Sequence, residues 1–463
     1  MKHYFLTFLM AMISIAGFAQ EYSLGMEIDD DKYKEVPLKA TLMTRDYTSL
    51  PASASLKKWC PIPKSQGRYG TCVGWSSAYA ARTIVEAKSK GWTNKQKITS
   101  NTFSPGFLYK LIKYKSDYGC KRGSHISDAM QVMVNRGVPK YTVLPTSCVS
   151  SIPTNVYSKA KNFKIQDYAR LFDRGYGKNL KIRSMKKSLA AGHPVVIGMK
   201  CPRSFFKAKG FWKPQENPNL RYGGHAMCVI GYDDNKFGGA FEIMNSWGTK
   251  WGNQGFIWVK YDDFANFTKY AYEVIYFPKK LPGQIDLSGE LKFMLASGKQ
   301  MEAEYVRSTN KVAYYKMKKP YSSGTQFRMF ISNNEPAYVY AIGSDLTEEV
   351  FRIFPSSNRI SPALNNPSNN VAIPGEDLYV KMDNKIGTDY MCFLYSKKKL
   401  NFRQIRRQLK NYRGSLVDRI EKVLANDLVN SKNARFDGDK MRFKASSSGK
   451  SVAAIVVEIT HVR

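Results

Sequence analysis

Histidine is scarce in this chain: only five occur among 463 residues, at positions 3, 125, 193, 225 and 461. None sits in a set of paired metal ligands at short spacing, which argues against a zinc site and leaves few candidates for a general base. Acidic residues are also few, 37 against 72 basic ones, for a net charge of +35. The excess is concentrated in residues 49–283, which carry +26, against −2 for residues 1–48 and +11 for 284–463. Such a field suits an anionic surface or polyanion as partner, or simply a well-solvated surface, and nothing points to a specific nucleic acid. Long apolar runs are missing beyond residue 20. The one at residues 4–18, flanked by Gly17 and Ala19, reads as a signal peptide over residues 1–19, and no later segment has transmembrane length. The expected location is therefore secreted or periplasmic, with cell-surface association a further option. Seven cysteines, an odd number, predict disulfides and at least one free thiol.

With 43% hydrophobic and 13% aromatic residues, the chain holds enough apolar surface for two cores. Residues 20–48 form a short acidic leader with Asp29, Asp30 and Asp31 in a row, expected to fold onto the basic domain as a latch, an extra strand or a tail. Residues 49–281 mix both periodicities. A helix is expected from Cys72 through Val85, where small and apolar residues dominate and no proline intervenes before Pro105. Residues 194–199, 226–232 and 255–261 are short apolar or alternating runs bounded by glycine or proline and read as strands. Helices first and strands later make an α+β domain. A break at residues 278–283 ends it, and residues 284–463 read as mainly β. Strands are expected there over 338–342, 350–354, 377–382 and 390–395, with turns at 332–334 and 365–370 and one helix, from Phe402, interrupted at Gly414-Ser415. The basic face of that helix, Arg403, Arg406, Arg407 and Lys410, fits a polyanion or a solvated surface.

Chemistry gathers around one cysteine. Ser65-Gln66-Gly67-Arg68-Tyr69-Gly70-Thr71-Cys72-Val73-Gly74-Trp75 is a glycine-bearing loop running into a helix. Cysteine at a helix N-terminus lies in the positive end of the dipole, which favours thiolate over thiol. Gln66 can return its side-chain amide as a donor to a developing oxyanion. Alone, Cys72 reads more readily as a buried or disulfide-bonded cysteine. Support comes from His225, which follows Gly223-Gly224 and opens an apolar strand, and from Asn245, whose amide can hold an imidazole while Trp247 shields that bond from water. The other histidines lack such partners: His3 leaves with the signal peptide, His125 lies in a polar stretch, His193 precedes a proline, and His461 lies at the far end of the second domain.

Four segments together resemble papain-family cysteine peptidases: Leu50-Pro51-Ala52-Ser53, Gln66-Gly67 through Gly70-Thr71-Cys72, Gly224-His225-Ala226 with Gly231-Tyr232, and Asn245-Ser246-Trp247-Gly248 through Gly255-Phe256. The resemblance implies a two-lobed fold that hydrolyses protein or peptide substrates without a cofactor. It assigns Cys72 as nucleophile, His225 as acid and base, Asn245 as orienter, and Gln66 with the Cys72 backbone N–H as oxyanion hole. Gly70, Gly123 and Trp247 become substrate-binding residues, Gly123 by pairing with a substrate strand. The departures are informative. Cys72 precedes His225 by 153 residues and Asn245 by 173, against a usual separation of about 130 to 150, so an insertion is expected at residues 201–222. Tyr69 stands where the family has a cysteine, so its usual disulfide cannot form, and Cys148 becomes the candidate partner of Cys120. Val73 replaces a tryptophan, and Arg122 replaces a glycine beside Gly123, altering the neighbouring subsite. The pattern resembles a bacterial branch of the family.

Residues 326–400 are similar to a bacterial surface-associated domain of unknown function, which implies a sandwich-like binding or attachment domain without chemistry of its own. Two rivals to hydrolysis stay open: a binding or adhesion protein on an inactive peptidase fold, and a transpeptidase using the same thioester.

Overall fold

In the computed structural model the described residues are 22–40 and 50–463, apart from 307–310, 346–348, 366–368 and 376–377. The expected signal peptide, residues 1–19, lies outside the described residues. The helical lobe of the first domain centres on one run of three helical segments, Cys72–Gly74, Trp75–Arg82 and Thr83–Ser89, the middle one π-helical. Every residue from 70 to 87 is buried. That explains the density of Ala and Ser here, since a helix enclosed on all sides admits few large side chains against its neighbours Pro105–Ile112 and Ile126–Asn135. The cation buried in this run, Arg82, is neutralised by Glu86 one turn later, at 2.9 Å.

The second lobe is a sheet whose central strands are Thr268–Ile275, Val195–Lys200, Gly224–Asp233, Ala240–Met244 and Phe256–Lys260, in that order and antiparallel throughout. Val195–Lys200 and Gly224–Asp233 are buried along almost their whole length, so their sequences are continuous apolar runs rather than alternating ones. Ser53–Ser55 pairs with Gly224–Asp233. Beyond Thr268–Ile275 the sheet continues through Asp167–Arg170 to the leader strand Leu38–Lys39, and then to Ile360–Ser361 of the second domain. The leader thus bridges the two domains.

The second domain is a sandwich. One sheet is built on Leu287–Leu295 and Gln326–Asn333, the other on Val312–Met317, Val452–Val462, Gly387–Ser396 and Ala337–Ser344. Their facing side chains form one core, with Leu291, Phe293, Ile331, Phe393 and Ile455 fully buried or nearly so. Helices Phe402–Lys410 and Leu416–Leu424 cover the outer face of the second sheet, each with its first turn capped, by Asn401 and Ser415 respectively. The break between them falls at Gly414, with φ of 110°. Three expectations are corrected. The strand expected at 377–382 shrinks to the two-residue edge strand Val380–Lys381, and Asp377 lies outside the described residues. Part of the expected turn at 365–370 is already strand, Asn369–Ile373, because pairing with Gln326–Asn333 outweighs the turn preference of asparagine. The longest strand, Val452–Val462, is not among those expected: it lies centrally, buried on both faces, and so lacks alternation.

Candidate active site

Packing of the two lobes brings Cys72, His225, Asn245 and Gln66 together. Cys72 opens the helical run, and its Sγ accepts the backbone N–H of Ala226 at 3.4 Å, so the sulfur lies against the residue that follows His225. His225 sits near the start of strand Gly224–Asp233, and Asn245 directly follows the adjacent strand Ala240–Met244. His225 Nε2 lies 2.7 Å from Asn245 Oδ1, and the same oxygen accepts the backbone N–H of Ser246 at 2.7 Å. A backbone N–H only donates, which identifies that atom of Asn245 as the oxygen and makes Nε2 the protonated ring nitrogen. The opposite nitrogen, Nδ1, is buried without a hydrogen-bond partner and is the atom left to take a proton.

Gln66 is fixed from both ends of its amide. Its Oε1 accepts from the Ser246 hydroxyl at 2.6 Å, and its backbone N–H donates to the Ser246 carbonyl at 2.8 Å. The Nε2 group donates to the carbonyls of Tyr69 and Ser23 at 2.8 and 3.0 Å. Trp247 lies along the His225 ring, with centroids 4.6 Å apart and planes at 24°. Phe206, from the expected insertion at 201–222, stacks on the same indole at 5.0 Å, and Trp251 meets it edge-on at 5.2 Å. The opposite wall is backbone. Gly123 has φ of +93°, and a Cβ there would stand 2.7 Å from the carbonyl oxygen of Gly25. Gly70 donates its N–H to the Cys120 carbonyl at 2.7 Å, and Cys120 is joined to Cys148 by a disulfide with Cα atoms 5.7 Å apart.

The leader fills this cleft. Ser23 gives its carbonyl to Gln66 Nε2 and to Trp247 Nε1, at 3.0 and 3.1 Å. The N–H groups of Gly25 and Met26 donate to the Gly224 carbonyl at 3.3 and 3.0 Å. Ser124 N–H donates to the Gly25 carbonyl and Glu27 N–H to the Ser124 carbonyl, both at 3.0 Å. Helix Asp30–Glu35 then packs Tyr33 into the core, its hydroxyl on the Phe172 carbonyl at 2.8 Å. Of the acidic triplet, Asp29 caps this helix, while Asp30 meets Lys269 and Arg174. Cys72 and His225 are consequently both inaccessible to solvent. Burial pushes the Cys72 thiol up to about 12, against the pull of the N–H groups of Ala226, Val73 and Cys72 itself. Burial drives the His225 imidazole down to about 4, with Asn245 opposing. In this closed form both groups are neutral near pH 7.

Of the other described histidines, two lie away from the cleft. His193 meets Asn365 at 3.2 Å at the domain junction, and His461 meets Ser323 at 3.0 Å in the sandwich. His125, without an evident partner in sequence, lies 3.4 Å from Glu27 of the leader. Tyr22, Ser23, Met26, Glu27 and Tyr114 line or fill the cleft without having been singled out. The signal that could have found them is a short apolar stretch broken by Gly25 ahead of an acidic cluster, too brief to carry a period.

Residues 53–276 match the family described as "Papain family cysteine protease", and residues 320–399 match the "Domain of unknown function (DUF4384)". Among curated relatives, a peptidase C1-like protein of Acanthamoeba polyphaga mimivirus is 27% identical over 229 residues, covering 46% of this chain and 70% of that protein. Cathepsin K of Gallus gallus is 28% identical over 232 residues, covering 47% of this chain and 61% of cathepsin K. Among solved structures, xylellain, a cysteine protease from Xylella fastidiosa, aligns with a TM-score of 0.44 at 23% identity, covering 55% of this chain and 95% of that one. The chain thus carries a papain-family cysteine protease domain followed by a β-rich C-terminal domain, and it is a cysteine-type peptidase.

Proposed function

We propose that this protein is a secreted peptidase that cleaves peptide bonds through a thioester on Cys72, and that its leader holds it shut. The observation that carries the reading is the linked set of contacts Cys72 Sγ to Ala226 N–H, His225 Nε2 to Asn245 Oδ1, and Gln66 Nε2 held towards the cleft. With the cleft hydrated, the helix N-terminus and His225 favour a Cys72 thiolate with the imidazole protonated at Nδ1. The thiolate attacks the scissile carbonyl carbon, and the resulting oxyanion is held by Gln66 Nε2 and the Cys72 backbone N–H. As that intermediate collapses, the C–N bond breaks and His225 gives its proton to the leaving amine. Water, losing a proton to His225, then attacks the thioester, releasing the carboxylic acid and regenerating Cys72. Asn245 keeps the imidazole in the productive orientation, and Trp247 covers that bond. The completeness of this set speaks against an inactive peptidase fold.

The leader reading rests on residues 22–27 occupying the groove where Gly123, Gly224 and Gln66 would receive a substrate. Export is supported by the signal-like residues 1–19 and by the Cys120–Cys148 disulfide. The sandwich domain and the basic peptidase surface suit attachment to an anionic cell surface. The test is digestion of an unstructured protein by the purified chain and by its Cys72→Ala and Met26→Asp variants. Cleavage that rises with Met26→Asp and disappears with Cys72→Ala supports the reading. Equal cleavage with and without Cys72 would overturn it.

A further inference from the structure

The cleft carries a carboxylate-binding subsite that the catalytic groups do not require. Counting outward from Cys72 along the leader, Met26 is the side chain seated against Gly198 and Gly224, and Glu27 is the next one. The Glu27 carboxylate accepts the Tyr114 hydroxyl at 2.7 Å and lies 3.4 Å from His125 Nε2. Arg122 stands over the Tyr114 ring at 4.7 Å, its Nη1 donating to the Ser116 hydroxyl at 3.0 Å. Among the described residues Arg122 makes no ion pair. His125 also immediately precedes the ten-residue helix Ile126–Asn135, whose N-terminal end adds positive potential. The acidic group at that end, Asp128, is engaged by Lys32 farther along the leader, at 2.7 Å. When the leader leaves, a phenol and an imidazole lose their anion together, beside a guanidinium that has no ion-pair partner among the described residues.

Resting on the proposed peptidase activity, we propose that Tyr114, Arg122 and His125 form a specificity subsite for an acidic side chain. The substrates favoured are peptides with Asp or Glu at the third residue on the amino-terminal side of the scissile bond. The reason is the backbone that flanks them. Arg122 and His125 bracket Gly123-Ser124, the stretch that exchanges hydrogen bonds with the leader strand on either side of Met26. The leader moves away from Gln66 in its carboxy-terminal direction, from Ser23 to Glu27. A substrate presenting its scissile carbonyl to Gln66 runs the opposite way through the same stretch, and with an apolar residue in place of Met26 it directs the residue before that one to the position of Glu27. The three donors lie at the cleft rim, where charge-assisted hydrogen bonds still discriminate although water screens them.

The experiment uses the full chain carrying Tyr22→Ala, Met26→Ala and Glu27→Ala to empty the cleft. Peptides of one sequence, with Glu, Gln or Lys moved through the four positions on the amino-terminal side, are compared by kcat/KM. Their affinity for the same chain bearing Cys72→Ala is measured by calorimetry. The expected result is a five- to tenfold preference for Glu over Gln at the third position alone, with Lys poorest. Combining Tyr114→Phe with Arg122→Gln and His125→Gln should reduce that preference to less than twofold while cleavage of the Gln peptide persists. Cysteine-dependent cleavage without any preference at the third position, or a preference that survives the triple variant, overturns the subsite and leaves the peptidase reading intact. If no peptide is either cleaved or bound, both readings fall.

Discussion

Tyr22 of the leader stacks on Trp247, with ring centroids 4.8 Å apart and planes at 16°, and the same indole lies along His225. One aromatic ring therefore touches both the histidine of the site and the segment that covers it. Met26 adds a nearly fully buried side chain, a contribution on the order of 2 kcal/mol. Met26→Asp places a charge in that pocket and should open the cleft, raising the initial rate on a small peptide at least tenfold. Steady-state kinetics on freshly purified protein check this; an unchanged rate would show that the leader does not limit access.

Both amides should register in kcat. Asn245 orients His225, so Asn245→Ala should lower kcat by roughly a hundredfold with little change in KM. Gln66→Ala removes an oxyanion donor, for which a loss of about 10²- to 10³-fold in kcat is usual. Because Gln66 also ties residues 65–66 to Ser246, circular dichroism of the variant should accompany the kinetics.

Closure should depend on pH at both ends. His225 has its proton affinity lowered by burial, to about 4 from an ordinary value of 6.5. The closed form therefore favours the neutral ring, and protons bind preferentially to the opened form. Referred to an ordinary imidazole in the opened cleft, before it pairs with the Cys72 thiolate, closure is unaffected by this group above about pH 6.5 and weakens as pH falls from there towards 4. Cys72 behaves in the opposite sense, held up to about 12 from 9.0 by burial, so ionisation weakens closure as pH rises above about 9. Hydrogen exchange of residues 22–27, corrected for intrinsic rates, should be slowest between these limits. His225→Gln, which cannot titrate, separates the acid limb of the site from the contribution of Asp30 in the leader, whose carboxyl, against the opposing effect of burial, is held below its usual value by Tyr270, Lys269 and Arg174.

The far end of the leader makes a different prediction. Lys39 pairs with Glu273 at 2.6 Å, and Glu273 is fully buried and also bonded to Ser188. Burial alone would raise the Glu273 carboxyl, but Lys39, His193 and Ser188 outweigh it and hold it below its usual value. Lys39→Met strands that carboxylate, an effect of roughly 3 to 5 kcal/mol. Thermal unfolding at pH 7 should show the loss. It should shrink in acid, since a depressed carboxyl contributes stability above its unfolded pKa and loses it as pH falls through the folded one.

That Cys72, His225, Asn245 and Gln66 come together was legible locally: Cys72 stands at a helix start, His225 near the start of a buried strand, and Asn245 and Gln66 each carry an amide in a short loop beside them. Leader contacts could not be read in that way. Tyr22, Met26 and Glu27 act through shape and through backbone pairing with Gly224 and Ser124, about 200 and 100 residues away in sequence. The sandwich was legible as a class from its turns and short runs, but Val452–Val462 carries no alternation because neighbours cover both its faces. Insertion of Leu38–Lys39 between strands of two domains leaves no mark in a two-residue sequence.

The central claim is that Cys72 is a nucleophile covered by the leader. Covalent labelling by an epoxide-type cysteine-peptidase inhibitor, followed by peptide mapping, tests it on the full chain and on the Met26→Asp variant. The account predicts one adduct, at Cys72, forming at least tenfold faster in the variant and absent from Asn245→Ala combined with His225→Ala. Labelling spread over Cys60, Cys201, Cys228 and Cys392, or none at Cys72 once the cleft is open, would contradict it.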